Sequence, residues 1–342
     1  MWQTATQRKM TEHFPHTLLN RTQLQQKINH LSASGIPFLF IINYKATEGY
    51  IIPESELNTN YIRFQIGEKQ NTSIVNNKVK QQLSWHTFPI SLKEYKQKFE
   101  YVQGQIQQGN SFLVNLTQPT RLKTNLDLSD LFEFGTAKYK LWLKERFTVL
   151  SPETFVQIRD SKVSSFPMKG TIDAALPNAK DIILNDPKEK AEHATIVDLI
   201  RNDLSIVAEN VKVTRYRYLD KLSTNKGELL QVSSEITGNL PDNYHQKLGD
   251  ILFSLLPAGS ICGAPKPKTL EIIEEAEGYD RGFYTGIFGW FDGKNLDSGV
   301  MIRFIEQQAD QLVFKSGGGI TSQSELEKEY EELIQKVYVP LH

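Results

Sequence analysis

The chain has 342 residues, of which 39 are lysine or arginine and 40 are aspartate or glutamate, so its formal net charge is −1. This balance excludes a global basic field of the kind that binds nucleic acid or anionic membranes, and any anion site must therefore be local. The single cysteine, Cys262, excludes an intramolecular disulfide and a zinc cluster built on several thiolates. The sequence shows neither a signal peptide nor an apolar run long enough to span a bilayer, and we expect a cytoplasmic protein without nucleic-acid or membrane partners.

Hydrophobic periodicity and turn residues organise the first part of the chain. They predict a helix at residues 17–31 and strands at 36–43, 50–52 and 62–66, with the second strand returning antiparallel to the first. Residues 67–82 are polar and turn-like. No domain boundary is visible in this region.

A second helix is predicted after residue 90, because Ser91 and Glu94 form a capping-box pattern in front of apolar residues at helical spacing. This helix should end near Gly109, and alternating residues then predict a strand at 111–117 that packs on it. The aromatic-rich stretch 131–147 is expected to be mostly helical.

Lys169 stands in an unusual setting, between an apolar residue and a glycine and just behind Pro167, which fixes the backbone. Gly170 lets a ligand approach closely, so the amine could point into a cavity as a nucleophile, although most loop lysines are surface lysines. Glu153 begins a strand-like run that leads toward Lys169. It could be the accompanying acid or base, or simply a residue at the entry of a strand.

Asp186 and Pro187 predict the start of a long helix, since an aspartate cap followed by proline at the first position favours helix initiation. Glu192 and Asp203 then share one helical stripe with large aliphatic residues. A carboxylate on an apolar stripe is costly unless it is paired or bound to a metal. Residues 196–204 therefore predict a buried polar network, part of which structural salt bridges would explain.

The following region predicts strands at 211–218 and 229–238 and a helix at 244–255. Residues 257–266 hold two glycines, two prolines and a serine in front of a helix that starts near Lys266. The N-terminus of that helix favours an anion, but an ordinary loop and cap would have the same composition.

Two antiparallel strands are predicted at 283–291 and 299–304, and Arg303 interrupts the second. An inward Arg303 needs an anion such as a carboxylate, whereas an outward one follows from alternation alone. Residues 312–320 predict a strand that ends in three glycines, whose N–H groups could meet a carboxylate or phosphate. No Lys-Ser or Lys-Thr follows them, so this is not a nucleotide loop.

The last helix places Glu325, Glu329, Glu332 and Lys336 on one stripe. Glu332 and Lys336 form an ordinary i, i+4 pair if the stripe is surface. If it faces a site, Glu329 and Glu332 join Glu192 around a hard cation, most plausibly Mg²⁺.

Taken together, these segments resemble the chorismate-utilising enzymes, the family of anthranilate synthase and aminodeoxychorismate synthase large subunits, isochorismate synthases and salicylate synthases. The motifs that carry the resemblance are Ser-Pro-Glu at 151–153, Pro-Met-Lys-Gly-Thr at 167–171, Glu-His at 192–193, Ile-Val-Asp-Leu at 196–199 with Arg-Asn-Asp at 201–203, Gly-Ala-Pro-Lys at 263–266, Met-Ile-Arg at 301–303 and Glu-Tyr-Glu-Glu at 329–332. The resemblance covers residues 91–342 as a catalytic core, and residues 1–90 resemble a shortened N-terminal part of the same single domain. It implies an α+β fold with two packed antiparallel sheets flanked by helices.

The lysine at 169 is typical of the aminodeoxychorismate synthase branch, since anthranilate synthases carry alanine there. Branches that add water use another lysine at the position that corresponds to Leu113. Three residues depart from the amine-using pattern: Leu113 replaces glutamine, Gln231 replaces histidine and Cys262 replaces threonine or serine.

The implied reaction replaces the 4-hydroxyl of chorismate with ammonia to give 4-amino-4-deoxychorismate for p-aminobenzoate and folate synthesis. By resemblance, Lys169 attacks ring carbon C2, and Glu153 protonates the departing hydroxyl. The implied ligands of Mg²⁺ are Glu192, Glu329 and Glu332. The implied substrate-binding residues are Thr171, Tyr284, Arg303, Gly318, Gly319 and Lys336.

Ammonia would come from a separate glutaminase subunit, because the sole cysteine lies in the loop assigned to the substrate site. A separate downstream lyase would take the product. Three rival functions remain at this stage: anthranilate synthase, a Mg²⁺-dependent phosphate hydrolase, and a non-catalytic subunit that binds chorismate.

Overall fold

The computed structural model describes residues 14–73, 83–224 and 227–341, which form a ten-stranded and a nine-stranded antiparallel sheet with helices around them. The strands are β1 (Leu19–Asn20), β2 (Phe38–Ile42), β3 (Glu48–Pro53), β4 (Ile62–Ile66), β5 (Lys69–Gln70), β6 (Trp85–Phe88), β7 (Leu113–Thr124), β8 (Tyr139–Leu143), β9 (Phe147–Ser151), β10 (Thr154–Arg159), β11 (Lys162–Ser165), β12 (Met168–Asp173), β13 (Glu209–Thr224), β14 (Gly227–Asn239), β15 (Gly263–Ala264), β16 (Ile287–Phe291), β17 (Leu296–Val300), β18 (Phe304–Gln308) and β19 (Gln311–Thr321). The helices are α1 (Arg21–Ala33), α2 (Leu92–Gln107), α3 (Leu128–Phe134), α4 (Ala179–Asn185), α5 (Pro187–Ser205), α6 (Leu248–Leu255), α7 (Lys266–Glu277) and α8 (Leu326–Gln335). The predicted α+β class with two antiparallel sheets is confirmed.

The first sheet has the order β1-β3-β2-β16-β17-β10-β11-β14-β12, with β13 also paired to β14. The second has the order β15-β7-β19-β18-β9-β8-β4-β5, with β6 also paired to β7. Strands from the first 90 residues pair with strands from the rest of the chain, since β2 pairs with β16 and β4 pairs with β8. Both parts of the sequence therefore complete the same two sheets.

Strand β2 shows why the sheets pack together. Its alternate residues Phe38 and Phe40 belong to the core shared with α1, whereas Leu39 and Ile41 belong to a core shared with β4 and β8 of the other sheet. A strand that is buried on both faces needs apolar residues at every position, which accounts for the continuous apolar run in its sequence.

Two helix starts follow the local capping rules that their sequences predict. Ser91 accepts a hydrogen bond from the Glu94 backbone while the Glu94 carboxylate accepts one from the Ser91 backbone, so α2 begins with a capping box. Asp186 caps α5 through the Glu189 N–H, and Pro187 occupies the first turn. Side chains at these positions satisfy N–H groups that the helix itself leaves unpaired.

The predicted helix at 131–147 is wrong. Helix α3 ends at Phe134, and the remainder forms the hairpin of β8 and β9, with Glu145 in the left-handed region of backbone space at its turn (φ 59°). In β8, Tyr139 and Leu141 are buried on one face and Trp142 on the other. Because both faces are buried, the sequence lacks the alternation of apolar and polar residues that marks a half-exposed strand.

The predicted strand at 299–304 is also wrong, because two strands of different sheets meet there. Strand β17 ends at Val300 in the first sheet, and β18 begins at Phe304 in the second. Arg303 lies in the crossover with a positive φ of 49°. The glycines at 317–319 do not end a strand either, because they lie inside β19 and pair with β7.

The buried polar network predicted for residues 196–204 is wrong except at one residue. Asp198, Arg201 and Asn202 are exposed and bond to one another at the surface. Asp203 alone of the four is buried, and Lys266 Nζ lies 2.7 Å from its carboxylate.

The predicted turn-like segment 67–82 falls partly outside the described residues, which stop at 73 and resume at 83; within it, residues 69 and 70 form β5. No helix in the described ranges is both long and apolar enough to cross a membrane.

Candidate active site

A cavity of about 470 Å³ lies where the two sheets and α5 meet. Its walls come from β10 and β12 of the first sheet, β7 and β19 of the second, and the loop before β15. The predicted site residues that line it are Glu153, Lys169, Glu192, Tyr284, Arg303, Gly318, Gly319 and Lys336. The structure therefore brings most of the predicted residues together.

Lys169 reaches the cavity from β12. Ser234 donates a backbone hydrogen bond to the Pro167 carbonyl (3.0 Å), and the register of β12 shifts between Met168 and Thr171, so the strand bulges at the lysine. Gly170 takes a φ of 88° within this bulge. Thr171 is exposed and does not line the cavity, so it is not brought together with the other predicted residues.

The Lys169 ammonium lies 2.7 Å from Glu192 Oε2 on α5. Burial by itself lowers the pKa of Lys169, but the Glu192 carboxylate more than offsets this, and the pKa is raised above its usual value. An amine attacks only through its lone pair, so a nucleophilic role of Lys169 would require that Glu192 no longer hold its proton in place.

Glu153 occupies the short link between β9 and β10, where the chain passes from the second sheet to the first. This crossover is bonded to the one that carries Arg303: Val300 N–H donates to the Glu153 carbonyl (3.1 Å) and Leu150 N–H donates to the Arg303 carbonyl (3.2 Å). The general acid and the cation predicted from sequence are thus placed side by side by two crossovers that no local pattern reveals.

The Glu153 carboxylate is held by Ser260, whose hydroxyl donates to Oε1 at 2.5 Å. Burial raises the pKa of Glu153, and the hydrogen bond from Ser260 and the charge of Lys336 partly oppose the rise. A raised pKa favours the protonated form of a carboxyl group, which is the form that a general acid needs.

Ser260 lies on a short turn that a buried ion pair holds in place. Arg281 and Glu277 pair at 2.6 Å with side chains that are each 1 % exposed. The same guanidinium donates to the Ile261 carbonyl (3.0 Å) and to the Asn115 carbonyl of β7 (2.7 Å). Arg281 therefore ties the turn to the second sheet.

Two glutamates of α8 face the glycines of β19. A Cβ atom built on Gly318 would lie 3.4 Å from Glu329 Oε2 and 3.3 Å from Glu332 Oε1, so both carboxylates converge on this glycine. Burial raises the pKa of Glu329. Burial alone would also raise the pKa of Glu332, but Lys336, 2.6 Å away, more than offsets this and the pKa is lowered.

Glu189 is a carboxylate beside the Lys169 strand that the sequence analysis missed, although it does not line the cavity. It lies three residues before Glu192 on α5, and its buried Oε2 has no hydrogen-bond partner in the described residues. A Cβ on Gly170 would lie 2.7 Å from that oxygen. Burial raises the pKa of Glu189. The signal available in the sequence was the repeated i, i+3 spacing of Glu189 with Glu192 and of Glu329 with Glu332.

These carboxylates fit a hard cation such as Mg²⁺, which binds oxygen ligands and commonly keeps several waters beside one or two carboxylates. The unpartnered Glu189 oxygen and the raised pKa of Glu329 both indicate that negative charge here lacks full compensation. No three His, Cys, Asp or Glu side chains within the described ranges already converge as a metal site, since Glu192 is paired with Lys169 instead.

Cationic side chains also line the cavity. Desolvation lowers the pKa of Arg303, and the nearby Tyr338 partly opposes this shift. Lys336 donates to the Gly317 carbonyl at 2.9 Å and lines the same cavity. The buried Tyr284 lines it as well. A partly desolvated guanidinium without a carboxylate favours an anionic ligand.

The three residues that depart from the family pattern differ in position. Leu113 lines the cavity, and its Cδ1 would lie 2.9 Å from a Cβ built on Gly319. Cys262 is fully buried against Tyr44, and Gln231 pairs with Thr171 in the sheet; neither lines the cavity. Of the three departures, Leu113 alone changes the cavity wall.

Comparison with known proteins gives three findings. A family model described as chorismate binding enzyme matches residues 4–342. The chain is 50% identical to an uncharacterised PabA-like protein of Pasteurella multocida, in a match that covers 92% of this chain and 98% of that protein. It is 32% identical to aminodeoxychorismate synthase component 1 of Klebsiella aerogenes, in a match that covers 74% of this chain and 58% of that protein. The crystal structure of the menaquinone-specific isochorismate synthase of Escherichia coli shares the fold, with a TM-score of 0.72, 16% identity, and coverage of 94% of this chain and 82% of that chain.

Proposed function

Because the chain belongs to the chorismate-binding enzyme family, we propose that it is an aminodeoxychorismate synthase, which replaces the 4-hydroxyl of chorismate with ammonia. The observation that carries this proposal is the convergence of Lys169, Glu153 and Arg303 on one cavity. Several relatives about one-third identical to the chain are named aminodeoxychorismate synthase component 1, which supports the same activity, while others at similar identity are named anthranilate synthase component 1. The cavity volume of about 470 Å³ lies within the range of small-molecule sites.

In the first step, the neutral Lys169 amine forms a C–N bond to ring carbon C2. The two conjugated ring double bonds shift, from C1=C2 to C1=C6 and from C5=C6 to C4=C5, and the C4–O bond breaks as Glu153 gives its proton to the departing hydroxyl, which leaves as water. Covalent catalysis of this kind divides one difficult substitution into two easier ones. The raised pKa of Glu153 keeps the required proton available.

In the second step, ammonia attacks C4 and both ring double bonds shift back to their original positions. The C2–N bond breaks, its electron pair returns to Lys169, and the Glu153 carboxylate takes the proton that the added ammonia gives up. Chorismate and ammonia thus yield 4-amino-4-deoxychorismate and water, and both side chains return to their starting states.

Arg303 and Lys336, which both line the cavity, would bind carboxylates of the substrate. The role that we assign to Mg²⁺ at Glu192, Glu329 and Glu332 is to neutralise the ring carboxylate. A Glu192 carboxylate that served as a metal ligand would no longer hold the Lys169 proton as it does in the present ion pair, and the amine would then release that proton to solvent.

Ammonia would come from a separate glutaminase subunit. Cys262, the single cysteine of the sequence, is fully buried against Tyr44 and does not line the cavity, so it cannot act there as a glutaminase nucleophile. The component 1 names of the relatives support a partner subunit. The product would pass to a separate lyase.

The test is product analysis by liquid chromatography and mass spectrometry after incubation with chorismate, Mg²⁺ and an ammonium salt. We expect 4-amino-4-deoxychorismate that depends on ammonium and disappears in Lys169→Ala, while Lys180→Ala, at an exposed position of α4, serves as the matched control. Formation of anthranilate would assign the chain to anthranilate synthase instead. Binding without turnover would favour a non-catalytic subunit, and hydrolysis of phosphate esters would favour the hydrolase.

A further inference from the structure

The residues after α8 form a segment, 337–341, that we call the C-terminal strap. Trp85 Nε1 donates to the Val337 carbonyl (3.2 Å) and Thr136 N–H donates to the Pro340 carbonyl (2.8 Å). Val337 and Val339 are buried in a core of the second sheet. Tyr338, which lies between them in the sequence, is exposed.

Tyr338 makes two contacts with Arg303. Arg303 Nη2 donates a hydrogen bond to Tyr338 Oη at 2.8 Å, and the guanidinium carbon lies 4.7 Å from the centroid of the phenol ring. Arg303 lines the cavity, whereas Tyr338, with 43 % of its surface exposed, is not among the lining residues and contacts Arg303 directly. In the described part of the chain no carboxylate pairs with Arg303, so the phenol is the group that fixes this cation in place.

The direction of the hydrogen bond has a chemical consequence. Arg303 is the donor and the phenolic oxygen is the acceptor, so the Tyr338 hydroxyl proton is not used by this contact. A carboxylate that binds the Arg303 guanidinium would lie within reach of a second donor. The ring, in turn, covers one face of the guanidinium and favours a single orientation of it.

We propose that Tyr338 is a positioning residue for ligand carboxylates: it orients Arg303 toward the cavity and adds its own hydroxyl as a second donor. The proposal rests on the proposed function for the identity of the ligand as chorismate. Two substitutions separate the hydrogen bond from the cation–π contact. Tyr338→Phe keeps the ring and removes the hydroxyl, whereas Tyr338→Ala removes both.

The experiment measures the dissociation constant of chorismate by isothermal titration calorimetry, with Arg303→Ala as the reference. Tyr338→Phe should weaken binding about 5- to 10-fold, the effect of one ordinary hydrogen bond. Tyr338→Ala should weaken it about 10- to 50-fold because the cation–π contact is lost as well. In turnover, the loss should appear in KM rather than kcat, since a carboxylate remote from the breaking bonds is bound alike in the ground and transition states.

Phe88→Ala is the matched control. Phe88 is an exposed aromatic residue whose ring lies 4.4 Å from the guanidinium of Arg121, and neither residue lines the cavity. This variant should leave chorismate affinity and KM unchanged. A purely structural role of Tyr338 would instead lower kcat and the melting temperature together, and Tyr338→Phe, which retains the packing of the ring, would then behave as wild type.

Unchanged affinity in both Tyr338 variants, or a loss confined to kcat, overturns the proposal. A parallel titration with benzoate, followed by NMR line broadening, separates it from the proposed function. If chorismate does not bind but benzoate binds with the same dependence on Arg303 and Tyr338, the proposed function fails and the carboxylate site stands. If neither ligand binds, both fail.

Discussion

Replacing Glu277 with glutamine should lower the free energy of unfolding by about 3–5 kcal/mol, because it leaves the Arg281 guanidinium buried without its counter-ion. The pair is closed to solvent, with each side chain 1 % exposed, and Arg281 donates to both Glu277 oxygens at 2.6 and 2.8 Å. Solvent therefore cannot screen the charge that remains. Arg281→Met should cost a similar amount, because a buried carboxylate is then left unpaired.

The double variant distinguishes this reasoning from simple loss of contacts. With both Glu277→Gln and Arg281→Met, no uncompensated charge remains, and the cost is mainly that of lost hydrogen bonds, about 1 kcal/mol each. We expect the double variant to be less destabilised than the sum of the singles by about 3 kcal/mol. Urea unfolding followed by tryptophan fluorescence measures all three. Single variants that cost less than about 1 kcal/mol, or an additive double variant, would refute the reasoning.

Three further predictions concern the cavity. Ser260→Ala removes a hydrogen bond that lowers the pKa of Glu153, so this pKa should rise. The alkaline limb of the kcat/KM profile, where the acid loses its proton, should therefore move to higher pH. A limb that stays in place or moves to lower pH contradicts the assignment of Glu153 as the acid. Glu329→Gln should weaken Mg²⁺ binding about 10-fold or more in calorimetry with the metal alone. The control is Glu325→Gln at the N-cap of the same helix, where the native side chain pairs with Lys328 at the surface, and it should leave the affinity unchanged. Equal affinities of the two variants would remove Glu329 from the metal site. Gly170→Ala should destabilise the protein by about 1–3 kcal/mol and reduce activity, because φ is 88° and the new methyl would meet Glu189 Oε2. Gly104→Ala in α2, which has open space around it, should be neutral or stabilising. A tolerated Gly170→Ala would show that the bulge is not constrained.

Elements fixed by adjacent residues were predicted well from sequence. The starts of α2 and α5 depend on capping side chains one turn away, and the pairing of β2 with β3 depends on two apolar runs separated by a turn. The helix predicted at 131–147 failed for the converse reason. Burial of β8 depends on its pairing with β4, which lies far away in the sequence, and on the core that these two strands share.

The candidate site shows the same division. Lys169, Glu153 and Arg303 were identified through short motifs, and the structure places all three on one cavity. What the sequence could not show is that two crossovers between sheets put Glu153 beside Arg303, or that Glu189 lies against the Gly170 bulge. Both facts depend on the pairing of strands far apart in the chain.

Intact-protein mass spectrometry tests the central claim, that Lys169 is a covalent nucleophile. The protein is incubated with chorismate and Mg²⁺ without ammonium, and peptide mapping then locates any added mass. We predict an adduct of chorismate less one water on Lys169, which disappears when ammonium is added as 4-amino-4-deoxychorismate forms. An adduct on another lysine, or a Lys169→Ala variant that makes the product at the wild-type rate, would contradict the account.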